Sequence, residues 1–302
     1  MDGVVSARIR PHFRAQLERA ASACGARLRW LSDGWVAQLT RAGRSTHVIG
    51  YSFPLNDAAA AQIANDKAAT YAVLEDSSIP AIMHRVLHLA APPSERLTLE
   101  VLDLVPLPVV IKPLTESAGI DVLRTHDETE LHEAMQFLAR RYRVIAVSPY
   151  VEITREYRAV VLDQEVRILY EKHKQGGWRH NLHAGAISRL IEHADIVTAV
   201  SVLAKRAMHA MNLRFAAVDV VEVGGRLSVL EVNNTVTLER FSAQDQLHAN
   251  LAQEVYRDAV AACFNACRNQ SHHHQPPQKA GTAHARDTGT IERAAERADL
   301  RE

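Results

Sequence analysis

Cysteine is scarce. Cys24, Cys263 and Cys267 do not make a disulfide framework or a zinc signature. Cys263 and Cys267 stand one helical turn apart in an apolar pattern and read as buried thiols. No apolar run approaches the length of a membrane span, and the N-terminus shows no apolar segment of the secretory kind. The expectation is a cytoplasmic protein without a membrane partner. Net charge is absent as well: 35 basic residues face 35 acidic ones. No global field therefore draws the chain to nucleic acid or to a lipid surface. The asymmetry that exists is local. The first 44 residues carry Arg8, Arg10, Arg14, Arg19, Arg27, Arg29, Arg41 and Arg44 against Asp2, Glu18 and Asp33. That stretch is either a basic face for an anionic partner or an ordinary solvated helix surface.

What is present is ample apolar material, 47% of 302 residues, enough for one large domain or two. Residues 8–23 read as a helix, with strands at Arg27–Leu31, Gly34–Thr40 and Thr46–Tyr51, so 1–56 form a short N-terminal α/β lobe. Residues 57–268 form the main mixed α/β (α+β) domain. It opens with a helix over 57–76 containing Lys67, followed by a probable helix Ser94–Val105 and a short buried strand Pro108–Pro113 that ends in Lys112. Thr115–Val122 is a small-residue loop of the kind whose backbone N–H groups approach phosphates. It lacks the glycine spacing of a Walker A loop. Asp127 and Glu130 form a capping box for the next helix. Strands at Val144–Val147, Glu156–Leu162 and Glu165–His173 follow, then a donor-rich loop from Gly176 to Ala186 and a helix over Asp195–Asn212. A helix over Ala249–Cys267 closes the domain. Residues 269–302 lose periodicity and read as a disordered polar tail.

The stretch Ala216–Phe241 organises the chemistry. Two β-branched runs, Ala217–Val223 and Leu227–Asn233, flank Gly224-Gly225-Arg226 and read as a hairpin. Asp219 interrupts the first run, and Glu231 and Asn233 the second. A three-residue loop pairs Val223 with Leu227, and counting back sets Asp219 opposite Glu231 with Asn233 on the same face. A two-residue Gly-Gly turn would put the two carboxylates on opposite faces. Two carboxylates about 5 Å apart in a dry sheet repel unless a cation intervenes. With an amide oxygen they make a hard donor set suited to Mg²⁺, or Mn²⁺ in its place, shared with nucleotide phosphates. The competing reading is a solvated polar sheet face.

The order strand-Lys-Pro, small-residue loop, strand pair with Arg158, donor-rich loop, and Asp…Glu-x-Asn hairpin resembles the ATP-grasp superfamily over roughly Ala61–Phe241. The likeness is to carboxylate–amine ligases such as ribosomal-protein S6 glutamate ligase, the lysine-biosynthesis ligase, cyanophycin synthetase and glutathione synthetase. It implies an ATP-grasp fold, in which two α+β lobes grip ATP. It also implies phosphate contacts from Lys67 and Lys112, and a mobile loop around Ser117 and Gly119. A hinge at Ser148, Tyr150 and Val151 would read adenine. Glu156 would lie near ribose, with Lys172 and Asn181 also on the nucleotide. Arg158 and Arg179 would be the catalytic arginines, and Asp219, Glu231 and Asn233 the metal ligands. Pro149 stands where the family usually has Glu, and Asn234–Glu239 departs from the usual segment after the metal Asn.

The implied function is ATP-dependent joining of a small-molecule or peptide carboxylate to an amine through an acyl phosphate, in a protein that resembles a group in which homodimers are common. Two other readings share the site: a kinase releasing a stable phosphorylated small molecule, and a non-catalytic ATP-binding module.

Overall fold

Three antiparallel sheets carry the chain. The computed structural model describes residues 11–90, 92–115, 119–174 and 186–265. The polar tail lies outside the described residues. The first sheet places β1 (Arg27–Leu31), β2 (Val36–Arg41) and β3 (Arg44–Ile49) side by side. A four-stranded sheet runs in the order β4 (Arg85–His88), β7 (Val144–Pro149), β5 (Val109–Pro113) and β6 (Leu123–Thr125). The central five-stranded sheet runs β10 (Ile187–Leu190), β9 (Glu165–His173), β8 (Arg155–Leu162), β11 (Phe215–Val223) and β12 (Arg226–Asn233). Among the described residues no helix is long and apolar enough to cross a membrane.

Alternation along the strands decides what packs where. On β8, Tyr157, Ala159 and Val161 face one way, against Leu203, Ala207 and Met208 of α6 (Ala194–Ala210). Val160 and Leu162 face the other way, into a core built with Phe13 and Leu17 of α1 (Pro11–Ala23) and Tyr256 of α8 (Gln246–Asn265). Ala37, Leu39 and Val48 of the first sheet belong to that same core, so the N-terminal lobe is packed directly onto the central sheet. The four-stranded sheet has its own core, with Val101 of α4 (Glu95–Leu104) and Leu131, Met135 and Leu138 of α5 (Glu128–Ala139) over Val109, Ile111, Ile145 and Val147.

Two local features differ from the sequence expectation. The helix expected over 57–76 is two helices, α2 (Ala58–Asn65) and α3 (Lys67–Asp76). Asp66 breaks them with an extended backbone and caps the second by accepting from Ala68 N and Ala69 N. Lys67 therefore opens a helix rather than sitting inside one.

The second difference lies in the β11–β12 hairpin. Its turn is the two-residue Gly224-Gly225, with Val223 opposite Arg226 and both glycines at positive φ (55° and 75°), as a type I′ turn requires. That turn alone would pair Asp219 with Leu230. A bulge between Asp219 and Val220 absorbs one residue, because Val220 pairs with Val229 while Asp219 pairs with Glu231. The expected pairing holds, but a two-residue turn plus a bulge produces it, not a three-residue loop. The bulged strand is pinned from outside: Val229 N donates to Pro80 O, and Ile82 N donates to Val229 O.

A Cβ on Gly224 or Gly225 meets nothing within 4 Å, so substitution there is penalised by the left-handed backbone alone. Replacing both with alanine should destabilise by about 2–4 kcal/mol. An Asn-Gly pair, which tolerates positive φ, should be near neutral; urea midpoints of the two variants check this.

Candidate active site

One face of the central sheet gathers the polar residues that interrupted its strands. Arg158 stands opposite Tyr170 on one side and Asp219 on the other, and Asp219 stands opposite Glu231. Residues two places along the same strands add Glu156, Lys172 and Asn233 to that face. Asp219 is completely buried. Arg158 grips it through Nε at 2.7 Å and Nη2 at 2.6 Å. Lys172 Nζ lies 2.8 Å from Asp219 Oδ2 and 2.5 Å from Glu156 Oε1. Burial alone would raise the Asp219 pKa, but the Arg158 guanidinium and the Lys172 ammonium hold it well below the usual carboxylate range.

The facing wall comes from β5 and α3. Lys112 is buried, and among the described residues no carboxylate comes within ion-pair distance of it. Burial pulls its pKa down to about 8; Glu231 opposes the drop and Lys67 adds to it. Lys67 Nζ donates to Leu114 O at 3.1 Å. Lys67, Thr115, Glu231, Asn233 and Thr235 line one cavity of about 450 Å³. Across this cleft, four cations (Lys67, Lys112, Arg158 and Lys172) meet three carboxylates (Glu156, Asp219 and Glu231). Asp66, the cap of α3, lines the same cavity as Lys67, so the two signs are close to balanced over the cleft as a whole, and Lys112 is the cation that an anion would pair.

Two neighbours had no signal in the sequence. His84, in a stretch readable only as strand or loop, is 2% exposed. Its Nδ1 faces Ile82 O at 2.9 Å and its Nε2 has no partner. Burial, and then the Lys112 charge, drive its pKa well below the ordinary histidine value, so the ring is neutral beside the lysine. Tyr170 is fully buried, with its hydroxyl against the Arg158 guanidinium. It looked like an ordinary β-residue, and only the sheet register brings it to Arg158.

The remaining expected residues divide. Ser148 is buried within β7 and pairs with Val110. Tyr150 N donates to Pro108 O at 2.8 Å, and Arg124 lies over the Tyr150 ring at 4.7 Å. Val151 is half-buried just beyond the strand. Gly119 has φ of +75°, close to Asp121, whose carboxylate accepts from Tyr142 Oη and Arg141 Nη1. Ser117, Arg179 and Asn181 lie outside the described residues.

The profile of the RimK-like ATP-grasp domain matches residues 64–258. The chain belongs to the RimK-like ATP-grasp family. Members of this family bind ATP. A probable alpha-L-glutamate ligase of Enterobacter sp. (strain 638) is 28% identical over 203 residues, covering 66% of this chain and 65% of the relative's length. A ribosomal protein bS6–L-glutamate ligase of Escherichia fergusonii is 27% identical over 233 residues, 76% of this chain and 71% of that protein. The D-alanine–D-alanine ligase of Bacillus anthracis complexed with ATP shares the fold. The TM-score is 0.55 at 17% identity, covering 70% of this chain and 68% of that one.

A metal in this RimK-like cleft would depend on oxygen donors of the central sheet. Asn233 Nδ2 lies 3.4 Å from Asp219 Oδ2 and 3.3 Å from Glu231 Oε1, so the three side chains converge. A half-turn of the amide would present Oδ1 instead, and an all-oxygen set fits Mg²⁺. Among the described residues no group of three His, Cys, Asp or Glu side chains could hold a metal. Asp219, moreover, is already matched by Arg158 and Lys172. The protein groups fit a cation that is shared with phosphate, and are a poor site for a cation alone.

Two outcomes follow for the RimK-like site. Asp219→Asn should cost about 3–5 kcal/mol of stability, because it leaves Arg158 and Lys172 buried without their partner. Glu231→Gln, on a half-buried side chain with no close ion pair, should shift the urea midpoint far less. Affinity for ATP should also depend on Lys112. Phosphate favours its charged form, so binding takes up a proton where the free lysine is neutral. Affinity should be level below pH 8 and fall about tenfold per unit between about pH 8 and 10. Calorimetry in buffers of different ionisation enthalpy reads that proton, and Lys112→Met should abolish the slope.

Proposed function

We propose that this protein is an ATP-dependent carboxylate–amine ligase, with an α-amino acid of the glutamate kind as the amine. The observation that carries this reading is Lys112, buried with no carboxylate within ion-pair distance among the described residues and coupled across the cleft to Glu231. Such a site gains from an anion, which would pair the buried lysine. The names of the two relatives, both glutamate ligases, support the choice of amine.

In the first step a carboxylate oxygen of the acid attacks the γ-phosphorus of ATP, and the β–γ bridging oxygen leaves with ADP. The barrier is the approach of one anion to another, and the side chains lower it by fixed positive charge. Lys112, held in a dry pocket, gives a stronger field on a phosphate oxygen than a solvated lysine would. Lys67, at the start of α3 on the same wall, can reach the same phosphates. Mg²⁺ held by Asp219, Glu231 and Asn233 would neutralise phosphate charge when bound.

In the second step the amine nitrogen attacks the acyl carbon, the tetrahedral oxyanion collapses, and phosphate leaves with the C–O electron pair. Arg158 commits Nε and Nη2 to Asp219, which leaves Nη1 as the nitrogen that can meet the developing oxyanion. Arg179 and Asn181 are assigned to the terminal phosphate and the acyl phosphate by resemblance. No protein nucleophile is needed. Cys24 and Cys263 fit a spectator role, since burial comes first among the causes raising both thiol pKa values, that of Cys263 to about 12.

The test is ADP release from Mg-ATP with pooled carboxylic acids and peptides plus glutamate, with and without hydroxylamine. Ligase chemistry gives ADP with an amide product, and a hydroxamate when hydroxylamine intercepts the acyl phosphate. A stable phosphorylated product that survives without an amine would instead mark a kinase. Glu231→Ala should lower turnover by at least about 10³-fold, with the unfolding transition retained.

A further inference from the structure

Arg27 and Arg29, from the arginine-rich first 44 residues, have no part in the ligase site and lie on the first sheet. In the first sheet, Arg29 stands opposite Gln38 and Gln38 opposite His47, while Arg27 stands opposite Thr40 and Thr40 opposite Ser45. These residues share the outer face, because the inner face is taken by Ala37, Leu39 and Val48 in the core. Arg27, Arg29, Ser45 and His47 are exposed. Leu31, Val36 and Ile49 form an aliphatic end to the same face, with Ile49 52% exposed.

The charge on this face is not balanced locally. Some exposed arginines elsewhere sit against carboxylates, Arg14 with Glu18, Arg96 with Glu100 and Arg214 with Asp163, while others such as Arg189 and Arg226 have none within 4 Å among the described residues. Among the described residues neither Arg27 nor Arg29 has a carboxylate within 4 Å, and no acidic side chain belongs to either cross-strand row. A neutral chain that leaves one donor-rich face without counter-charge has a place for a negative partner.

We propose that the outer face of the first sheet docks an acidic, extended polypeptide segment, the carrier of the carboxylate that the ligase site activates. The carrier clause rests on the ligase reading; the docking does not. Spacing favours a peptide. Arg27 and Arg29 are two residues apart on one strand, about 6.7 Å, which is the repeat of same-face side chains in an extended chain. β1 and β3 are both edge strands, so either can align such a segment. A nucleic-acid backbone is the poorer partner. Specific binding there neutralises several phosphates at once, whereas this face has two arginines and an aliphatic end.

The face is also mechanically joined to the site. Glu239, a few residues past the Asn233 that ends β12, accepts from Phe13 N at 2.8 Å and His12 N at 3.2 Å. It thereby ties the start of α1 to the segment that leaves the β11–β12 hairpin. A carrier docked on the first sheet is held by the same body that shapes the exit from that hairpin.

The test uses the full chain and fluorescence anisotropy of three labelled probes: a twelve-residue Glu-Thr repeat, the same peptide with Gln for Glu, and a twelve-nucleotide single-stranded RNA. The proposal expects the Glu peptide to bind, the Gln peptide to bind at least tenfold more weakly, and Arg27→Glu/Arg29→Glu to weaken the Glu peptide at least fivefold. ATP affinity and melting temperature should be unchanged in that variant, which separates loss of the face from loss of the fold. Equal binding of the two peptides overturns the proposal, as does equal binding by wild type and variant. RNA binding that needs Arg27 and Arg29, with no binding of the Glu peptide, overturns it in favour of a nucleic-acid surface. Because the readout is binding, a protein that docks the peptide but never releases ADP would sink the ligase reading and leave the docking face standing.

Discussion

The pairing of Asp219 with Arg158 and Lys172 is the interaction on which the rest of the site depends. A carboxylate with no solvent exposure is tolerable only if its charge is matched, and here two cations from two other strands match it. The consequence is geometric as well as electrostatic. Arg158 is on β8, Lys172 on β9 and Asp219 on β11, so the ion pairs fasten the registers of three strands on the face that must present Glu231 and Asn233. A slip of one residue in any of them would turn its charged group into the helix-packed core. Buried ion pairs contribute little net stability compared with apolar packing. Their effect here is specificity of register.

That network also explains how charge is distributed in the site. Asp219 and Glu156 are largely consumed by Arg158 and Lys172, leaving Glu231 as the carboxylate least engaged. Lys112 then stands across the cleft with no carboxylate within ion-pair distance among the described residues. Burial of Lys112 without a close carboxylate is unfavourable in the absence of an anion, and the neutral His84 beside it adds no second charge to make this worse. A site of this kind would be completed by an anion that pairs Lys112.

Much of this was legible in the sequence because each site residue broke a pattern. Asp219, Glu231 and Asn233 interrupt β-branched runs, and Lys112 closes an apolar strand; burial rules demand an explanation for such residues. The architecture was legible from alternation, and from the caps that Asp57, Ser94 and Asp127 supply to their helices. The reason for the Asp219–Glu231 pairing was not legible. Gly224-Gly225-Arg226 admits both a two- and a three-residue turn, and a bulge at ordinary aliphatic residues leaves no compositional mark. Its cause is the Pro80–Ile82 segment hydrogen-bonding Val229 from about 150 residues away in sequence. The break at Asp66 was hidden for the same kind of reason, since Asn65-Asp66-Lys67 fits a continuous helix until the cap is seen. His84 and Tyr170 gave no signal because nothing local distinguishes them; they matter only through what the fold brings beside them.

Glu239 shows how the site can be varied without disturbing its chemistry. It lies in the segment after Asn233, where the chain departs from the usual family pattern, and its carboxylate is occupied with the backbone at the start of α1. Tyr256 holds the same segment from α8, its hydroxyl accepting from Leu238 N and donating to Val236 O. Both anchors come from elements that pack on the first sheet or carry it, outside the phosphate-facing walls. The conformation of the segment beyond β12 is therefore held by α1 and α8 together, while Asp219, Arg158 and Lys172 fix the strands before it. In this chain α1 of the short N-terminal lobe is tied directly to the segment that follows β12, and the first sheet packs on the same core.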